Sequence, residues 1–552
     1  MRQIPSSSIS LLNLPDEILQ HVCDNTVKLS LKHGDSCPFE YVKRLRLTCK
    51  RLAQLCSPIL FHTARLYPYT DACCNCKHLK KSSYIKDSLK LVTALQESSL
   101  SNLVREVALI TPTHSKDHHH VATTSSDSQE SDGLEESDDD VDCCRETIRW
   151  RKTIKTITSF PKLISVCLVF NPEVEDEENE WSDVEQTLAF RGQCLKAVFS
   201  ALTLNDLPTA NLRSLTIKSL QDDNRTQIMK SSKFGEVLSK INELHLHIAT
   251  FDDEAAPETN IGYRSLHTFF RELPSIWLAP PSLHLTHLTL YCDTYWGWAP
   301  VFDPSSLHLP RLKYLSLGNY TFANDFQLAW LLSLGSTLET LILDDCPIAF
   351  YFYPSDSCQQ NTTTLRHDDH SVFIRRPPLK GTNPSHRDNN HYVYSARWHQ
   401  YFSKLEAGLP NLTNFVLGSG EWPRKCFDER NVLLPCLRRN RYIAFNGGIG
   451  PSQWCEVELY CGETESFGEI GYDPEVMVYS PTVREPPYYI MEEETEENFQ
   501  SDAERGERNE GAWEAAVPKN PEVFGEGCQK QDQEAFASLL LTVAKRARDS
   551  GI

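Results

Sequence analysis

Four candidate metal ligands, Cys73, Cys74, Cys76 and His78, crowd into six residues. Thiolates and imidazole at that density suit zinc, but a structural zinc site combines two well-spaced pairs. Cys143 and Cys144 follow an acidic tract and supply no second pair at a defined distance. His118 to His120, and His367, His370, His386 and His391, stand in polar surroundings where imidazole is simply solvated. No metal is expected. No catalytic set is legible either. The phosphate loop GxxxxGK followed by Ser or Thr, HExxH, GxSxG, and GxGxxG after a strand are missing, and Gly447, Gly448 and Gly450 read as a turn. Neither catalytic residues nor a cofactor are expected.

Two other groups invite a reading. Ser131 and Ser137 lie among carboxylates, and phosphorylation there would add charge to a segment that already carries much of it. The stretch YCDTYWGWAPVF, residues 291–302, offers Tyr291, Tyr295, Trp296 and Trp298 as a recognition surface for a protein target, since Tyr and Trp dominate binding hot spots. The favoured reading is the plainer one, that these rings pack over the edge of the solenoid.

The elements that must position these residues follow from composition and periodicity. With 552 residues the chain exceeds one simple core. Its formal charge of −20 is concentrated: residues 117–146 carry −10, residues 172–185 carry −8 and residues 491–514 carry −8, leaving the remainder near +6. The first and last of these are too polar to offset their ordering entropy and are expected to be disordered, residues 113–147 and 491–515 in all. No clustered basic face points to nucleic acid. The first 13 residues lack the apolar core of a secretory signal, and runs such as Ala537 to Ala544 fall far below the ~18 residues a membrane span needs. The 19 cysteines form no regular framework and are expected to be reduced thiols, in a nuclear or cytosolic protein. On the same ground the glycosylation triplets at Asn224, Asn319, Asn361 and Asn411 read as chance matches.

After a flexible start over 1–10, Leu11 to Cys23 reads LLNLPDEILQHVC. Pro15 suits a first helical turn, Asp16 and Glu17 complement the positive end of the helix dipole, and Leu14, Ile18 and Val22 recur every four residues with Leu19 widening the face. A second helix is expected over FEYVKRLRLTCKRLAQLC, where Val42, Leu45, Cys49, Leu52 and Cys56 step by 3 and 4, closed by Pro58 with Leu60 and Phe61 as a last apolar anchor. Two such short helices need further packing.

The wording L-P-D-E-I-L, then L-R-L-T-C-K-R-L, then S-P-I-L-F, closely resembles the F-box as written in filamentous-fungal proteins. The resemblance covers residues 11–66. It implies docking on a Skp-type adaptor, and through it a cullin, by Leu14, Pro15, Ile18, Leu19, Val22, Leu45, Leu47, Cys49 and Leu52. Two features depart from the family: the stretch Asp24 to Pro38 is long, and Thr48 stands where Val is common.

Behind this module an L-x-x-L-x-L frame recurs. It appears as Leu163/Val166/Leu168, Leu212/Leu215/Ile217, Ile241/Leu244/Leu246, Leu285/Leu288/Leu290, Leu312/Leu315/Leu317, Leu338/Leu341/Leu343 and Leu412/Phe415/Leu417, with a weaker Val104/Val107/Leu109. Each L-x-L is an alternating strand with its apolar side inward. Spacings of 26, 27 and 29 residues resemble leucine-rich repeats, although the slot eight residues after the first Leu holds Asn or Cys only at Asn171 and Cys346; an ordinary α/β domain with several L-x-L strands is the alternative.

The expected fold class is therefore α/β: an F-box helical bundle over 11–66, then a degenerate leucine-rich-repeat solenoid of parallel strands and helices with acidic insertions. Residues 67–112 are read as connecting helices and a first repeat-like strand, and 148–450 as the repeat domain, broken by a long polar loop over 352–392. A short β segment is expected at 451–490, and a tail over 516–552 with an amphipathic helix at 532–548. The resemblance implies a non-catalytic, substrate-recruiting subunit of a cullin–RING ubiquitin ligase, with an unknown protein target and neither nucleic acid nor membrane as partner. A scaffold holding the adaptor outside the ligase, or an enzyme built on the α/β region, are the alternatives.

Overall fold

A computed structural model of the chain describes residues 14–32, 40–66, 93–95, 97–112, 145–157, 160–174, 186–203, 211–224, 227–251, 263–298, 300–352, 371–375, 390–418, 437, 441–445 and 528–551. It is an α/β protein whose principal sheet is parallel, with nine strands: β1 (Thr63–Leu66), β2 (Glu106–Ile110), β3 (Ser165–Val169), β4 (Ser214–Gln221), β5 (Glu243–Ala249), β6 (His287–Trp296), β7 (Tyr314–Tyr320), β8 (Thr340–Asp344) and β12 (Asn414–Gly418). They follow one another in chain order across the sheet. The chain divides into two compact units, Met1–Phe251 with Ser275–His287, and Asp252–Pro274 with Leu288–Ile552.

All eight apolar frames fall at the starts of sheet strands, and every frame residue is at most 5% exposed. The first frame residue tucks in below the strand, and the next two point to one face. One backbone rung repeats in the first unit. The His62 carbonyl accepts from the N–H groups of Arg105 and Glu106, that of Arg105 from Ile164 and Ser165, that of Ile164 from Arg213 and Ser214, and that of Arg213 from Asn242 and Glu243. Each carbonyl sits one residue past a frame's first position, so the sequence frame sets the strand register. The second unit uses the same device: the Lys313 carbonyl accepts from Glu339 and Thr340, and that of Glu339 from Thr413 and Asn414.

The rung at His62 reveals a ninth frame, Phe61/Ala64/Leu66, which opens the sheet as β1 and pairs in parallel with β2. Residues 61–66, expected to close the N-terminal module, therefore belong to the sheet.

A second device recurs where the chain leaves a strand. Ser219, Asn319 and Asp345, each seven residues past a frame's first position, have φ of 55, 58 and 50°. They are the non-glycine residues in the left-handed region among those described. Asn and Asp tolerate that region, whereas Ser pays a steric cost of ~1–2 kcal/mol. Ser219 is held there from both sides: its N–H donates to His247 Nδ1 (3.2 Å) and its carbonyl accepts from Arg191 Nη1 (2.8 Å). Arg191, on α5 (Leu188–Leu202), is 2% exposed and also donates to the carbonyls of Asn171 (2.7 Å), Glu173 and Gln186 (3.4 Å). The slot one residue further on holds Cys346, whose thiol donates to the Leu317 carbonyl at 3.3 Å.

The rest of the first unit is helical. α1 (Asp16–Lys32), α2 (Glu40–Arg46) and α3 (Lys50–Leu60) precede the sheet, and α4 (Arg145–Thr156) and α6 (Ser232–Leu238) join α5 beside it. The single helix expected over Phe39 to Cys56 is broken. Leu47 and Thr48 form a turn, and Cys49 is extended (φ −156°, ψ 164°) and caps α3, its Sγ accepting from Leu52 N–H. Pro58 lies inside α3, which runs on to Leu60. α4 begins at Arg145, inside the span expected to be disordered.

In the second unit α7 (Arg264–Leu273), α8 (Asp325–Ser333) and α9 (Trp398–Gly408) accompany the strands, and a smaller sheet is added. Its order is β10 (Ser371–Arg375), β11 (Asn390–Tyr394), β9 (Ile348–Phe352), β13 (Tyr442–Phe445). The long polar loop expected over 352–392 is thus replaced in part by strands, built on the β-favouring triplets Val372-Phe373-Ile374 and Tyr392-Val393-Tyr394. The expected C-terminal helix is α10 (Cys528–Asp549), with Phe536, Leu539, Leu540 and Val543 buried. It is no loose tail. Phe536 packs against Phe402 and Phe415 with centroids 5.2 and 6.3 Å apart. Asp532, with no exposed surface, accepts from Arg441 Nε (2.9 Å), Tyr442 OH (2.8 Å) and His399 N–H (2.8 Å).

No helix among the described residues is long and apolar enough to cross a membrane.

Candidate functional site

α1 begins where sequence chemistry directs. Pro15 precedes it, its carbonyl accepts from Leu19 N–H (3.1 Å), and Asp16 and Glu17 occupy the first turn. Arg51 on α3 ties this start down, donating from Nη2 to the Leu14 carbonyl (2.7 Å) and from Nε to Asp16 Oδ1 (2.7 Å). The Asp16 side chain is 61% exposed, so the ion pair orients the helix end more than it stabilises the fold.

Between the three helices lies a small core of Cys23, Val42 and Cys56, with Leu45, Ile59 and Leu60 packed against it. Leu19 and Leu52 are buried as well, at 1% and 5% exposed. The nine residues read as one docking set therefore separate into two roles. Leu19, Leu45 and Leu52 hold the helices together. Cys49 is half-buried and caps α3, while Leu14 is half-buried at the α1 entrance beside exposed Pro15. Ile18, Val22 and Leu47 remain outside, at 48%, 38% and 80% exposed, and Tyr41 on α2 joins them at 53%.

Three large aliphatic side chains of this short segment are thus left in water. Thr48 is exposed, and its hydroxyl donates to the Leu45 carbonyl (2.7 Å), stabilising the α2–α3 turn. Its being Thr and not Val thus costs no core contact. On its other side α3 and the 3₁₀ turn Ser99–Leu103 line a shallow open groove with Ala53, Gln54, Ser57, Pro58, Ser99, Leu100 and Leu103, none of them titratable.

The aromatic stretch at 291–298 lies mostly inside. It is the end of β6 and not a loop. Trp296 stacks on Phe270 (5.1 Å), meets Tyr320 edge-on (4.7 Å) and donates from Nε1 to the Gly318 carbonyl (2.7 Å). Tyr295, Trp296 and Trp298 are at most 4% exposed, which removes them as a recognition surface. Tyr291 differs: half-buried on the opposite face of β6, its ring lies over Gly318, where a Cβ would clash with it. On the same face of β6 and β7, Asp293 and Tyr314 are half-buried too.

Burial holds several titratable groups of the body in their neutral forms. Burial pushes His245 and His247 down to about 4, with His287 and Lys218 respectively adding to it. Burial likewise raises the hydroxyls of Tyr320 and Tyr394 and the thiol of Cys346. Tyr394 and Tyr401 share a hydrogen bond (2.8 Å), and Tyr394 also donates to Asp325 (3.1 Å). These groups are enclosed, and His247, Tyr320, Cys346 and Tyr394 are hydrogen-bonded to structural neighbours.

Among the described residues no group of three or more His, Cys, Asp or Glu side chains is placed to hold a metal. Cys73 to His78, His118 to His120, Ser131 and Ser137 lie outside the described residues, as does the β segment read at 451–490. Asn224 and Asn319 are buried, accepting from Trp277 Nε1 (3.1 Å) and donating to the Cys292 carbonyl (2.6 Å), so neither triplet can carry a glycan in this fold.

No protein-family model matches the chain, and no curated protein matches it.

Proposed function

We propose that the protein is a substrate-recruiting subunit of a cullin–RING ubiquitin ligase. In this reading α1 to α3 form an F-box that docks a Skp-type adaptor, and the sheet body is a degenerate leucine-rich-repeat domain that holds a target protein. The observation that carries the docking half is the division among α1 to α3. Leu19 and Leu52 hold the helices together, while Ile18, Val22 and Leu47 of the F-box-like wording stay in water. The repeat half is supported by nine frames that set nine strands in chain order, and by the left-handed residue seven positions into three of them. Tyr291, half-buried on its face of β6, is the aromatic of that stretch best placed to meet a target.

The chain performs no chemistry in this reading. It raises the effective concentration of target lysines near a charged conjugating enzyme, in the cytosol or nucleus.

Co-purification of the full chain with a Skp-type adaptor tests the docking. Ile18→Asp/Leu47→Asp places two charges on the exposed face without touching the core, and retained adaptor should fall at least ~10-fold, the equivalent of 1.4 kcal/mol. A wild-type chain that retains no adaptor overturns the proposal. Retention of adaptor without cullin would make the protein a scaffold outside the ligase.

A further inference from the structure

Cys23 on α1 and Cys56 on α3 stand with their sulfurs 3.6 Å apart, 33 residues apart in the chain. Both are free thiols, exposed by 1% and 0%, and with Val42 they make up the buried centre of the three-helix core. A disulfide needs its sulfurs at about 2.05 Å, so a closure of roughly 1.5 Å, shared between two helices and two side-chain rotations, would join them. Nothing in the packing of α1 to α3 requires sulfur at either place. Two aliphatic side chains would fill the same space without the chance of a bond.

We propose that Cys23 and Cys56 form a reversible disulfide site that staples α1 to α3. The oxidant is a low-molecular-weight disulfide such as oxidised glutathione. The thiolate of one cysteine attacks it, forming a mixed disulfide and releasing one glutathione thiolate. The second cysteine gives up its proton, and its thiolate attacks the protein sulfur of that mixed disulfide. The protein S–S bond forms as the second glutathione leaves. Two protein thiols are oxidised, one glutathione disulfide is reduced, and two glutathione thiols result.

Burial makes the site slow and selective. Desolvation, with the neighbouring Cys23 thiol adding to it, pushes the Cys56 thiol up to about 12, so little thiolate exists in the closed core. Reaction must wait for the helices to part. A core centred on three residues opens locally far more often than the sheet body. When it recloses, the two sulfurs return to contact. The half-buried Cys49 at the start of α3 is the competing thiol. This proposal does not depend on the docking reading, although the bond would fix the helix that carries Ile18 and Val22 against its neighbour.

The test uses the full chain incubated with oxidised glutathione, then denatured, alkylated and digested with trypsin. Cys23 falls in peptide 3–28, Cys56 in 52–65 and Cys49 in 47–50. The expected result is peptides 3–28 and 52–65 recovered as one species, two hydrogens lighter than their sum and split by dithiothreitol. In Cys23→Ser the Cys56 peptide should be recovered unlinked. Three outcomes overturn the proposal: both peptides alkylated separately, both carrying glutathione, or Cys56 linked to Cys49 or to a cysteine other than Cys23. Since the wild-type chain provides the decisive reading, a variant that folds poorly cannot obscure it.

Discussion

At the scale of single residues, the exits from the strands carry the strain and its relief. Ser219 has the left-handed backbone without the side chain that suits it, and His247 holds it by accepting its N–H at Nδ1. That bond needs an unprotonated Nδ1, in keeping with a pKa lowered to about 4; His245, two residues away, is lowered to about 4 as well. An unfolded chain protonates both near 6.5, so from pH 6.5 down to 4 it takes up protons that the folded chain refuses. Stability present above pH 6.5 should be lost across that window, by about 3 kcal/mol for each histidine. Thermal unfolding between pH 7 and pH 4.5 checks this. His245→Gln should remove about half of the slope, and an unchanged slope would count against it. The frames themselves were legible in the sequence because an apolar residue at each of three fixed places must be buried. The strand exits were not, since the expected Asn or Cys slot lies one residue beyond the left-handed position that recurs.

At the scale of elements, the most informative miss is the break at Leu47–Thr48. The 3-and-4 spacing of Val42, Leu45, Cys49, Leu52 and Cys56 runs straight through it, and neither Gly nor Pro announces the turn. The only local signal is a weak one, a thiol serving as N-cap. Conversely β1 does carry a signal in the sequence: Phe61, Ala64 and Leu66 have the same frame spacing, disguised by a short Ala. The small sheet of β9, β10, β11 and β13 has no repeating frame, so its strands were hidden in polar sequence. The amphipathic stripe of α10 was plain, but periodicity cannot say what a stripe packs against. Its partner is α9, and the joint has a definite strength. Phe536→Ala should cost ~3–5 kcal/mol in denaturant unfolding, the range for a buried aromatic lost from a core. The exposed Leu541→Ala (54%) should change stability by less than ~0.5 kcal/mol. Equal effects would mean that α10 is not docked.

At the scale of the whole molecule, the boundary between helices and sheet falls at residue 61, not at 66. Removing residues 1–66 strips β1 from the sheet and leaves Arg105 and Glu106 N–H without the His62 carbonyl. Removing 1–60 spares that rung. The shorter truncation should therefore remain monomeric and melt cooperatively, while the longer one exposes the edge of β2 and aggregates more readily. Size-exclusion chromatography of the two truncations decides this, and identical behaviour would show that β1 adds nothing. The change from helices to strands shows in the sequence only as a shift of apolar spacing. Its exact position was invisible, because one residue, Phe61, ends the first pattern and begins the second.

The docking of α10 also bears on how the chain is made. Phe402 on α9 and Phe415 on β12 meet Phe536, so their partner leaves the ribosome about 110 residues after β12 ends at Gly418. At ~5–20 residues per second that is a delay of roughly 5 to 20 seconds with an apolar face uncovered. A message cut short after β13 and before α10 would yield a protein with the strands of both sheets and a sticky end. Quality-control factors that recognise exposed aromatic surface would have a direct means of telling it from the finished product.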